Sequence, residues 1–298
     1  MHVFVTGATG FIGSEIVKEL ISAGHQVTGL ARSDANAQAL EAAGAAVHRG
    51  DLQDLESLKA GAAASEGVIH AGFIHDFSRF AQVCEIDRLA IGALAAGLVG
   101  TDHPLIITSG TALVSPGRLA TEDIIPVPGA SAHPRMSEEA ADAAVALGVR
   151  AAVVRLSPSV HGPGDHSGFV PILIKTAREK GVSAYIGEGQ NRWTAVHRLD
   201  AAKLFRLALE QATAGTRFHG SAEEAIVFKE IAEAIGRHLN LPVVSVSPEA
   251  AAGNFGWFTS FAGIDCPASS KLTREQLGWQ PGQPELLSDL EQGFYFNH

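Results

Sequence analysis

Apolar, strand-like runs alternate with amphipathic helical stretches through most of this 298-residue chain, and this alternation predicts an α/β fold. The runs at Val68–Gly72 and Leu105–Ser109 are largely apolar, which is typical of strands that helices cover on both faces. Because a helix between successive strands makes a crossover connection, we expect a doubly wound, mostly parallel sheet. A change of pattern after Leu156 predicts a small C-terminal cap.

The predicted strands of the sheet are, in chain order, His2–Thr6, Gln26–Ala31, Ala46–Arg49, Gly67–His70, Leu105–Thr108 and Ala151–Leu156. Helical patterns separate them, for example at Phe11–Ala23 and Asp34–Ala43. The later part of the chain predicts a helix at Val170–Lys180, a strand at Ala184–Ile186, helices at Asp200–Gln211 and Val227–His238, a strand at Val243–Val246 and a loop-rich tail. We expect residues 1–160, with 190–220 returning to them, to form the sheet domain, and residues 161–298 to form mainly the cap.

The charge balance excludes two classes of partner. Thirty-two acidic residues against 22 basic ones give a net charge of −10, whereas nucleic acids and anionic membranes attract clustered positive charge. Cys84 and Cys266 stand too far apart for a disulfide framework or a local zinc motif, so no metal is expected. No basic leader precedes the first strand, and the apolar stretch Leu89–Gly100 is too short to span a bilayer. These features predict a cytoplasmic protein.

A glycine-rich turn follows the first strand and opens the first helix. Gly7 permits a tight turn, Gly10 lets a pyrophosphate approach the backbone, and Gly13 allows the helix to pack closely on the strand. The phosphates would bind the unsatisfied amides at the helix N-terminus. The pattern therefore predicts a Rossmann-type dinucleotide site whose residues include Thr6, Gly7, Thr9, Gly10, Phe11, Ile12 and Gly13.

The G-x-x-G-x-x-G spacing, preceded by threonine, resembles the extended and atypical short-chain dehydrogenases/reductases, a superfamily of nucleotide-sugar epimerases, dehydratases and carbonyl reductases. Further similar segments are Arg155–Pro163, Val196–Asp200 and Lys271–Trp279, so the resemblance covers nearly the whole chain. It implies an adenine-contacting pair, a motif beneath the nicotinamide ribose and a segment that passes the carboxamide. The residues concerned are Asp51 and Leu52, then His70, Ala71 and Gly72, and finally Ser157, Pro158 and Ser159.

The end of the second strand predicts which dinucleotide is bound. Ala31 stands where the NAD-using relatives carry Asp, and Arg32 and Ser33 follow it. A carboxylate there would bind the ribose 2′-hydroxyl, whereas a cation binds the 2′-phosphate of NADP. Asp34 is expected to cap the next helix. We therefore predict NADP rather than NAD; the alternative is that Arg32 is a solvated surface residue.

The Tyr-x-x-x-Lys pair typical of this superfamily is missing. Tyr185 and Tyr295 are the only tyrosines, and no lysine lies between Lys59 and Lys175. In those relatives the ammonium lowers the pKa of the tyrosine, which exchanges a proton with the carbonyl oxygen. The chain therefore resembles an atypical subgroup in which basic residues replace the pair.

Two alignments of the helix that should carry the pair remain open. In one, Arg135 replaces the lysine and Ser131 the tyrosine; in the other, His133 and Ser137 occupy these positions. We expect Arg135 to orient the ribose or polarise the carbonyl, and His133 or a bound water to supply the proton, because an arginine does not readily release one. The alternative is an ordinary helix start.

Hydroxyls at the end of the fifth strand are the remaining catalytic candidates. In relatives a hydroxyl at this point binds the substrate carbonyl, so we expect Ser109 or Thr111 to do so, unless both only satisfy a strand-end turn. Three further residues are predicted near the substrate. They are His161 as a core or cleft residue, Trp193 as a pocket wall and Arg192 as a partner for an anionic group, although packing or surface positions explain the last two equally well.

These features predict an NADP(H)-dependent oxidoreductase that transfers hydride to or from a small carbonyl or alcohol with a non-standard proton donor, and whose cap binds the substrate. A nucleotide-sugar epimerase or dehydratase is the second hypothesis, but such reactions depend on the tyrosine, and the cap has no dense basic cluster for a diphosphate. A non-catalytic NADP(H) sensor is the third. Family analogy suggests a homodimer.

Overall fold

The computed structural model describes residues 1–125 and 135–297, and within these ranges it contains twelve strands and twelve α-helices. The strands are β1 (His2–Thr6), β2 (Gln26–Ala31), β3 (Ala46–Arg49), β4 (Gly67–His70), β5 (Pro104–Gly110), β6 (Arg150–Leu156), β7 (Ser159–His161), β8 (Ser183–Ile186), β9 (Arg192–His197), β10 (Arg217–Gly220), β11 (Glu223–Val227) and β12 (Val243–Val246). The helices are α1 (Gly13–Ser22), α2 (Asp34–Ala42), α3 (Leu55–Ala63), α4 (Phe80–Leu98), α5 (Ser137–Ala146), α6 (Phe169–Lys180), α7 (Arg198–Gln211), α8 (Phe228–Leu239), α9 (Ala251–Phe255), α10 (Thr259–Gly263), α11 (Lys271–Leu277) and α12 (Leu286–Glu291).

Seven parallel strands form the main sheet, in the order β10-β6-β5-β4-β1-β2-β3. The order reverses between β1 and β4, and doubly wound sheets bind ligands in the crevice that such a reversal leaves at the carboxyl ends of the strands. Register pairs Thr6 with His70 across this point. The predicted doubly wound α/β fold is confirmed, and the glycine-rich turn lies beside the end of β4.

The side chains of β1 alternate between apolar cores on the two faces of the sheet. Val3 and Val5 belong to the core that contains residues of α1 and α7, whereas Phe4 belongs to the core with Leu58 of α3 and Leu94 of α4. Both faces of the strand are therefore buried, which explains why its sequence is apolar at consecutive positions.

The cap has a separate apolar core and two small sheets, β11-β9-β7 and β12-β8. Its segments are interrupted by α7 and β10, and β10 pairs with β6 at the edge of the main sheet. The predicted loop-rich tail instead contains α9 to α12. These helices are short, and buried side chains such as Phe258 and Leu290 anchor them, so tertiary packing rather than intrinsic propensity stabilises them. None of the described helices is long and apolar enough to cross a membrane.

Candidate functional site

A cavity of about 760 Å³ lies between the main sheet and the cap. Residues that directly follow β1, β2, β4 and β6 line it, from Arg32 on the β2 side to Phe169 and Phe261 of the cap. Its volume is within the range of cofactor and small-molecule sites. The crevice predicted by the strand order is therefore a large cavity that both parts of the chain enclose.

The turn after β1 requires glycine at two positions. Gly7 has a φ of +68°, and a Cβ there would lie 2.6 Å from the amide nitrogen of Gly72. A Cβ on Gly13 would lie 2.0 Å from the carbonyl oxygen of Gly7. Gly10 is exposed on the cavity wall, where the missing side chain leaves its backbone open to a phosphate. The turn therefore fits a dinucleotide pyrophosphate at the N-terminus of α1.

Replacing Gly13 with alanine is expected to separate α1 from the turn, because the new methyl group meets backbone that cannot move aside. We expect a loss of about 1–3 kcal/mol in the free energy of unfolding and at least a tenfold weaker dinucleotide affinity. Urea unfolding and fluorescence titration with NADPH measure the two effects. Gly92→Ala is the matched control, since its Cβ meets nothing within 4 Å in helix α4. Equal behaviour of the two variants would contradict the packing explanation.

Most residues predicted to bind the cofactor line the cavity. They are Gly7, Thr9, Gly10, Phe11, Ile12, Gly13, Arg32, Asp51, Leu52, His70, Ala71, Gly72, Ser157 and Pro158. Three others do not line it. Thr6 is buried beneath the turn, Ser33 caps α2, and Ser159 is buried with a hydroxyl that has no partner. The cofactor contacts of these three residues stay predictions.

The charge at the end of β2 is positive on the cavity side. Ser33, rather than the predicted Asp34, is the N-cap of α2, because its hydroxyl accepts the amide of Asn36 at 3.2 Å. The Asp34 carboxylate instead pairs with Arg49 at 2.6 Å. Among the described residues, no carboxylate forms an ion pair with Arg32, which lines the cavity together with Asn36.

A buried chain of hydrogen bonds begins at the glycine-rich turn. The amide of Gly72 donates to Oγ1 of Thr6 at 3.2 Å, and Thr6 lies 2.8 Å from Nδ1 of His70. Nε2 of His70 lies 3.1 Å from Oδ1 of Asp87 on helix α4. Both ring nitrogens of His70 therefore have a partner in this chain: Nδ1 contacts the hydroxyl of Thr6, and Nε2 contacts the carboxylate of Asp87.

The chain continues from Asp87 to Arg135. Oγ of Ser137 donates to Oδ2 of Asp87 at 2.6 Å, and Nε of Arg135 donates to Ser137 at 3.0 Å. Burial alone would raise the pKa of Asp87, but the hydrogen bond and charge of His70 and the charge of Arg135 hold it below its ordinary value. A buried carboxylate therefore connects the end of β4 to the segment before α5.

Arg135 lies on the cavity wall in a constrained position. Besides its bond to Ser137, its Nη2 donates to the carbonyl oxygen of Thr108 at 3.1 Å, and its guanidinium lies 4.5 Å from the centre of the Phe73 ring. A guanidinium has five N–H donors, so donors remain for an oxygen in the cavity. Arg135 precedes α5, which begins at Ser137 in the described structure. Ser131 and His133 lie outside the described residues.

Ser109 lines the cavity, but its proton is already engaged. Its hydroxyl donates to Oε1 of Glu138 at 3.1 Å, and Glu138 also pairs with Arg155 at 2.7 Å and Arg217 at 3.0 Å. Burial alone would raise the pKa of Glu138, but the hydrogen bonds and charges of Arg155 and Arg217 lower it, so the carboxylate remains an acceptor. The expectation that Ser109 donates to a substrate carbonyl is therefore corrected: in this arrangement it offers the cavity a hydrogen-bond acceptor.

Thr111 and His161 lie outside the cavity lining. The buried Thr111 hydroxyl contacts Oγ1 of Thr194 at 3.1 Å and donates to the carbonyl oxygen of Leu156 at 3.4 Å, so distant segments rather than its own strand-end turn satisfy it. Nδ1 of His161 lies 2.7 Å from the buried carboxylate of Asp289, and its ring contacts His197 edge to face. The candidate role of Thr111 at the substrate is corrected to a role in packing, whereas His161 takes the core position that was one of its two predicted alternatives.

Arg192 and Trp193 also do not line the cavity. Arg192 makes a bidentate ion pair with Asp265 at 2.8 and 2.9 Å, so its charge is already matched. The indole of Trp193 is fully buried in the cap core, and its N–H donates to the carbonyl oxygen of Phe261. Both substrate assignments are corrected: alternation along β9 turns Trp193 into the cap core, and Asp265 holds Arg192.

Three residues of the site escaped the sequence predictions. Asp87 is a single carboxylate on the buried face of the apolar helix α4, and an acidic residue at such a position needs a partner. Phe73 and His75 belong to a segment after β4 that is rich in aromatic residues, and both line the cavity. The aromatic content of Phe73–Phe80, at the carboxyl end of a central strand, was the available signal.

Comparison with known proteins agrees with this geometry. An uncharacterized protein of Schizosaccharomyces pombe is 52% identical over 297 residues, which cover 99% of this chain and 100% of that protein. The 2-alkyl-3-oxoalkanoate reductase of Stenotrophomonas maltophilia is 28% identical over 235 residues, 74% of this chain and 69% of its own. The structure of Thermus thermophilus UDP-glucose 4-epimerase in complex with NAD has a TM-score of 0.76 at 20% identity, and the match covers 100% of both chains; it shows the same fold.

The family comparison covers most of the chain. The sequence model of the NAD dependent epimerase/dehydratase family matches residues 3–219, which include the glycine-rich turn, the segment around Arg135 and the main-sheet strands through β10. The glycine-rich turn, the parallel sheet and the cavity at its reversal point all agree with that match. The chain belongs to the NAD dependent epimerase/dehydratase family.

Proposed function

We propose that this protein is an NADP(H)-dependent oxidoreductase that interconverts a small carbonyl compound and its alcohol. The observation that carries the proposal is Arg135, a fixed cation on the wall of the cavity that contains the glycine-rich turn. Sequence similarity to a reductase that acts on a ketone supports the reaction class. The absence of the Tyr-x-x-x-Lys pair is compatible with it, because Arg135 can stabilise the negative charge that develops on a carbonyl oxygen.

In the reductive direction, a reduced dinucleotide held at the glycine-rich turn would supply the hydride for the carbonyl carbon, and a proton must reach the oxygen to complete the alcohol. Arg135 binds that oxygen through N–H groups that its protein partners do not use. Ser137 and Thr108 hold the guanidinium in one orientation, so little reorganisation is needed during the reaction. An arginine does not readily release a proton, so the proton comes from a histidine or a water. Two described histidines line the cavity: His70 is engaged by Thr6 and Asp87, whereas His75 lies beside Phe73.

The charge of the cavity argues against a nucleotide-sugar substrate. Among its described lining residues, only Arg32 and Arg135 carry a permanent positive charge. In the proposed arrangement Arg32 binds the cofactor, which leaves Arg135 alone for a diphosphate. A sensor remains the alternative from another functional class. Loss of reduced-nicotinamide absorbance with a panel of ketones and aldehydes tests the proposal. Turnover supports it, unchanged cofactor with a converted sugar indicates an epimerase, and tight NADPH binding without turnover indicates a sensor.

Arg32 is expected to select NADP over NAD. Arg32→Ala should weaken NADPH affinity about tenfold or more, since hydrogen bonds to charged groups contribute about 1.5–3 kcal/mol, while NADH affinity changes little. Arg49→Ala is the matched control, because Arg49 is an exposed arginine of the same region whose charge is paired with Asp34. Titrations of both cofactors measure the effect. An equal loss of affinity for NADH and NADPH would argue against 2′-phosphate recognition.

The reduction rate is expected to fall as pH rises if His75 gives the proton. Partial enclosure at the cavity rim, followed by the charge of Arg135, lowers the pKa of His75 below its ordinary value. The imidazolium form of His75, which donates the proton, predominates only below that lowered pKa. The kcat/KM for ketone reduction should therefore decrease from acidic pH towards neutrality. His75→Asn should remove this decrease, whereas His238→Asn, on the cap surface, should keep it. A retained profile in His75→Asn would assign the proton to another group.

A further inference from the structure

Five phenylalanines line one part of the cavity and form what we term the aromatic chamber: Phe73, Phe77, Phe80, Phe169 and Phe261. The first three belong to the segment after β4 and the start of α4, and the other two belong to the cap. The chamber is therefore assembled from both parts of the chain, next to the residues that the proposed reaction uses.

The rings of the chamber contact one another across the cleft. Phe77 stacks on Phe80 at 5.5 Å and meets Phe261 edge to face at 5.8 Å, and Phe261 lies 4.8 Å from Phe169. Each distance joins ring centroids and lies in the range of favourable aromatic pairs. The ring of Phe77 thus connects the sheet domain to the cap at the wall of the cavity.

Two polar side chains, Arg135 and His75, contact the chamber at Phe73. The guanidinium carbon of Arg135 lies 4.5 Å from the centre of the Phe73 ring. The rings of His75 and Phe73 make an edge-to-face contact with their centroids 5.4 Å apart. A ligand bound among the phenylalanines can therefore direct one oxygen towards Arg135 while the rest of its surface stays apolar. A sugar would instead have to lose the water on several hydroxyls against ring carbon.

From this arrangement we infer that the substrate is an aromatic carbonyl compound whose flat ring binds in the aromatic chamber and whose oxygen binds Arg135. The inference rests on the proposed oxidoreductase function and specifies its substrate class. A flat ring can adopt the stacked and edge-to-face contacts that the phenylalanines already make with one another. A saturated ring of equal carbon count fills similar space but lacks the quadrupole that favours these contacts.

The test compares 2-acetylnaphthalene with its fully hydrogenated analogue on the full-length protein saturated with NADP⁺, so that binding is measured without reduction of the ketone. Isothermal titration calorimetry gives both affinities, and steady-state reduction with NADPH gives KM and kcat. We expect the aromatic ketone to bind about tenfold more tightly, since aromatic pairs favour specific geometry beyond area burial. Equal affinities, or no binding of either ketone, would overturn the inference.

Phe77→Leu and Phe261→Leu keep an apolar side chain but remove a chamber ring. Each variant is expected to bind the aromatic ketone about fivefold more weakly, with the change mainly in KM. Its affinity for the saturated analogue should change by less than about twofold. Phe296→Leu is the matched control, because its ring stacks on His238 at 4.6 Å on the cap and does not line the cavity. Unchanged NADP⁺ affinity shows that each variant is folded. Equal weakening of both ketones would contradict ring recognition.

A separate signal distinguishes failure of this inference from failure of the proposed function. Trp257 is about half exposed and stacks on Phe77 at 4.7 Å, whereas Trp193 and Trp279 are fully buried. Binding of an aromatic ring in the chamber should change the fluorescence emission of Trp257. The change should be absent in Trp257→Phe, which lacks this indole. A fluorescence change with the aromatic ketone but not with its saturated analogue, in the absence of ketone reduction, supports ring binding in the chamber and contradicts the proposed oxidoreductase function. Turnover of both ketones with equal KM supports the oxidoreductase and contradicts the chamber.

Discussion

Replacing Arg135 with alanine is expected to lower kcat/KM for carbonyl reduction about 100-fold or more, the usual cost of removing one fixed donor to a developing oxyanion. The reason is geometric as well as electrostatic: Ser137, Thr108 and the Phe73 ring hold the guanidinium at the cavity wall. Steady-state assays with NADPH measure the loss. NADPH affinity should stay nearly constant, because the proposed partner of Arg135 is the substrate oxygen.

Two further variants separate the possible explanations for such a loss. Arg135→Lys keeps the charge but not the planar fork of donors, so it should recover only part of the activity. Arg79→Ala removes an exposed arginine that pairs with Asp76 in the segment just before α4, and it should leave activity unchanged. Full activity in Arg135→Ala would remove this residue from the mechanism while leaving the oxidoreductase proposal intact.

The second large effect is expected at Glu138. Glu138→Gln leaves the fully buried guanidinium of Arg155 without its countercharge, and breaking such a pair costs about 3–5 kcal/mol in the free energy of unfolding. Urea unfolding near neutral pH measures the cost. Glu85→Gln is the control, because the Glu85–Arg88 pair is exposed and its loss should leave stability nearly unchanged. Equal stability of the two variants would contradict the role of this pair.

The effect of Glu138 also depends on pH. Its pKa is lowered in the folded protein, so its stabilising contribution is complete above the ordinary carboxyl pKa and is lost as pH falls through the folded value. The difference in stability between the original chain and Glu138→Gln should therefore shrink in acid. A difference that stays constant down to acidic pH would mean that the charge of Glu138 is not the stabilising feature.

Local patterns were sufficient for the cofactor turn and for six of the seven strands of the main sheet; the edge strand β10 was not predicted. The strands His2–Thr6 and Gln26–Ala31 have the predicted bounds because buried parallel strands are apolar at consecutive positions. Gly7 and Gly13 could be predicted because their requirement arises within one short turn. Both kinds of signal depend on neighbours in sequence.

The substrate side could not be predicted in the same way, because its contacts join distant segments. The sequence alone suggests a pocket residue at Trp193, but in the structure its N–H donates to the carbonyl oxygen of Phe261. It likewise suggests a free cation at Arg192, but in the structure Arg192 pairs with Asp265. The role of Ser109 likewise depends on Glu138, which lies 29 residues later. No periodicity encodes such pairings, so sequence patterns leave packed and ligand-binding side chains indistinguishable.

The hydrogen-bond chain that holds Arg135 also bears on how this protein can evolve. Its described members, Thr6, His70, Asp87 and Ser137, all belong to the sheet domain, as does the Thr108 carbonyl. The cap contributes none of them, although it contributes chamber rings such as Phe261. The cap therefore contributes two of the five chamber rings, Phe169 and Phe261, but no described member of the hydrogen-bond chain. Substitutions at these two cap positions can change the chamber without altering the described contacts that hold Arg135, so under the proposed function the substrate range could change in gradual steps.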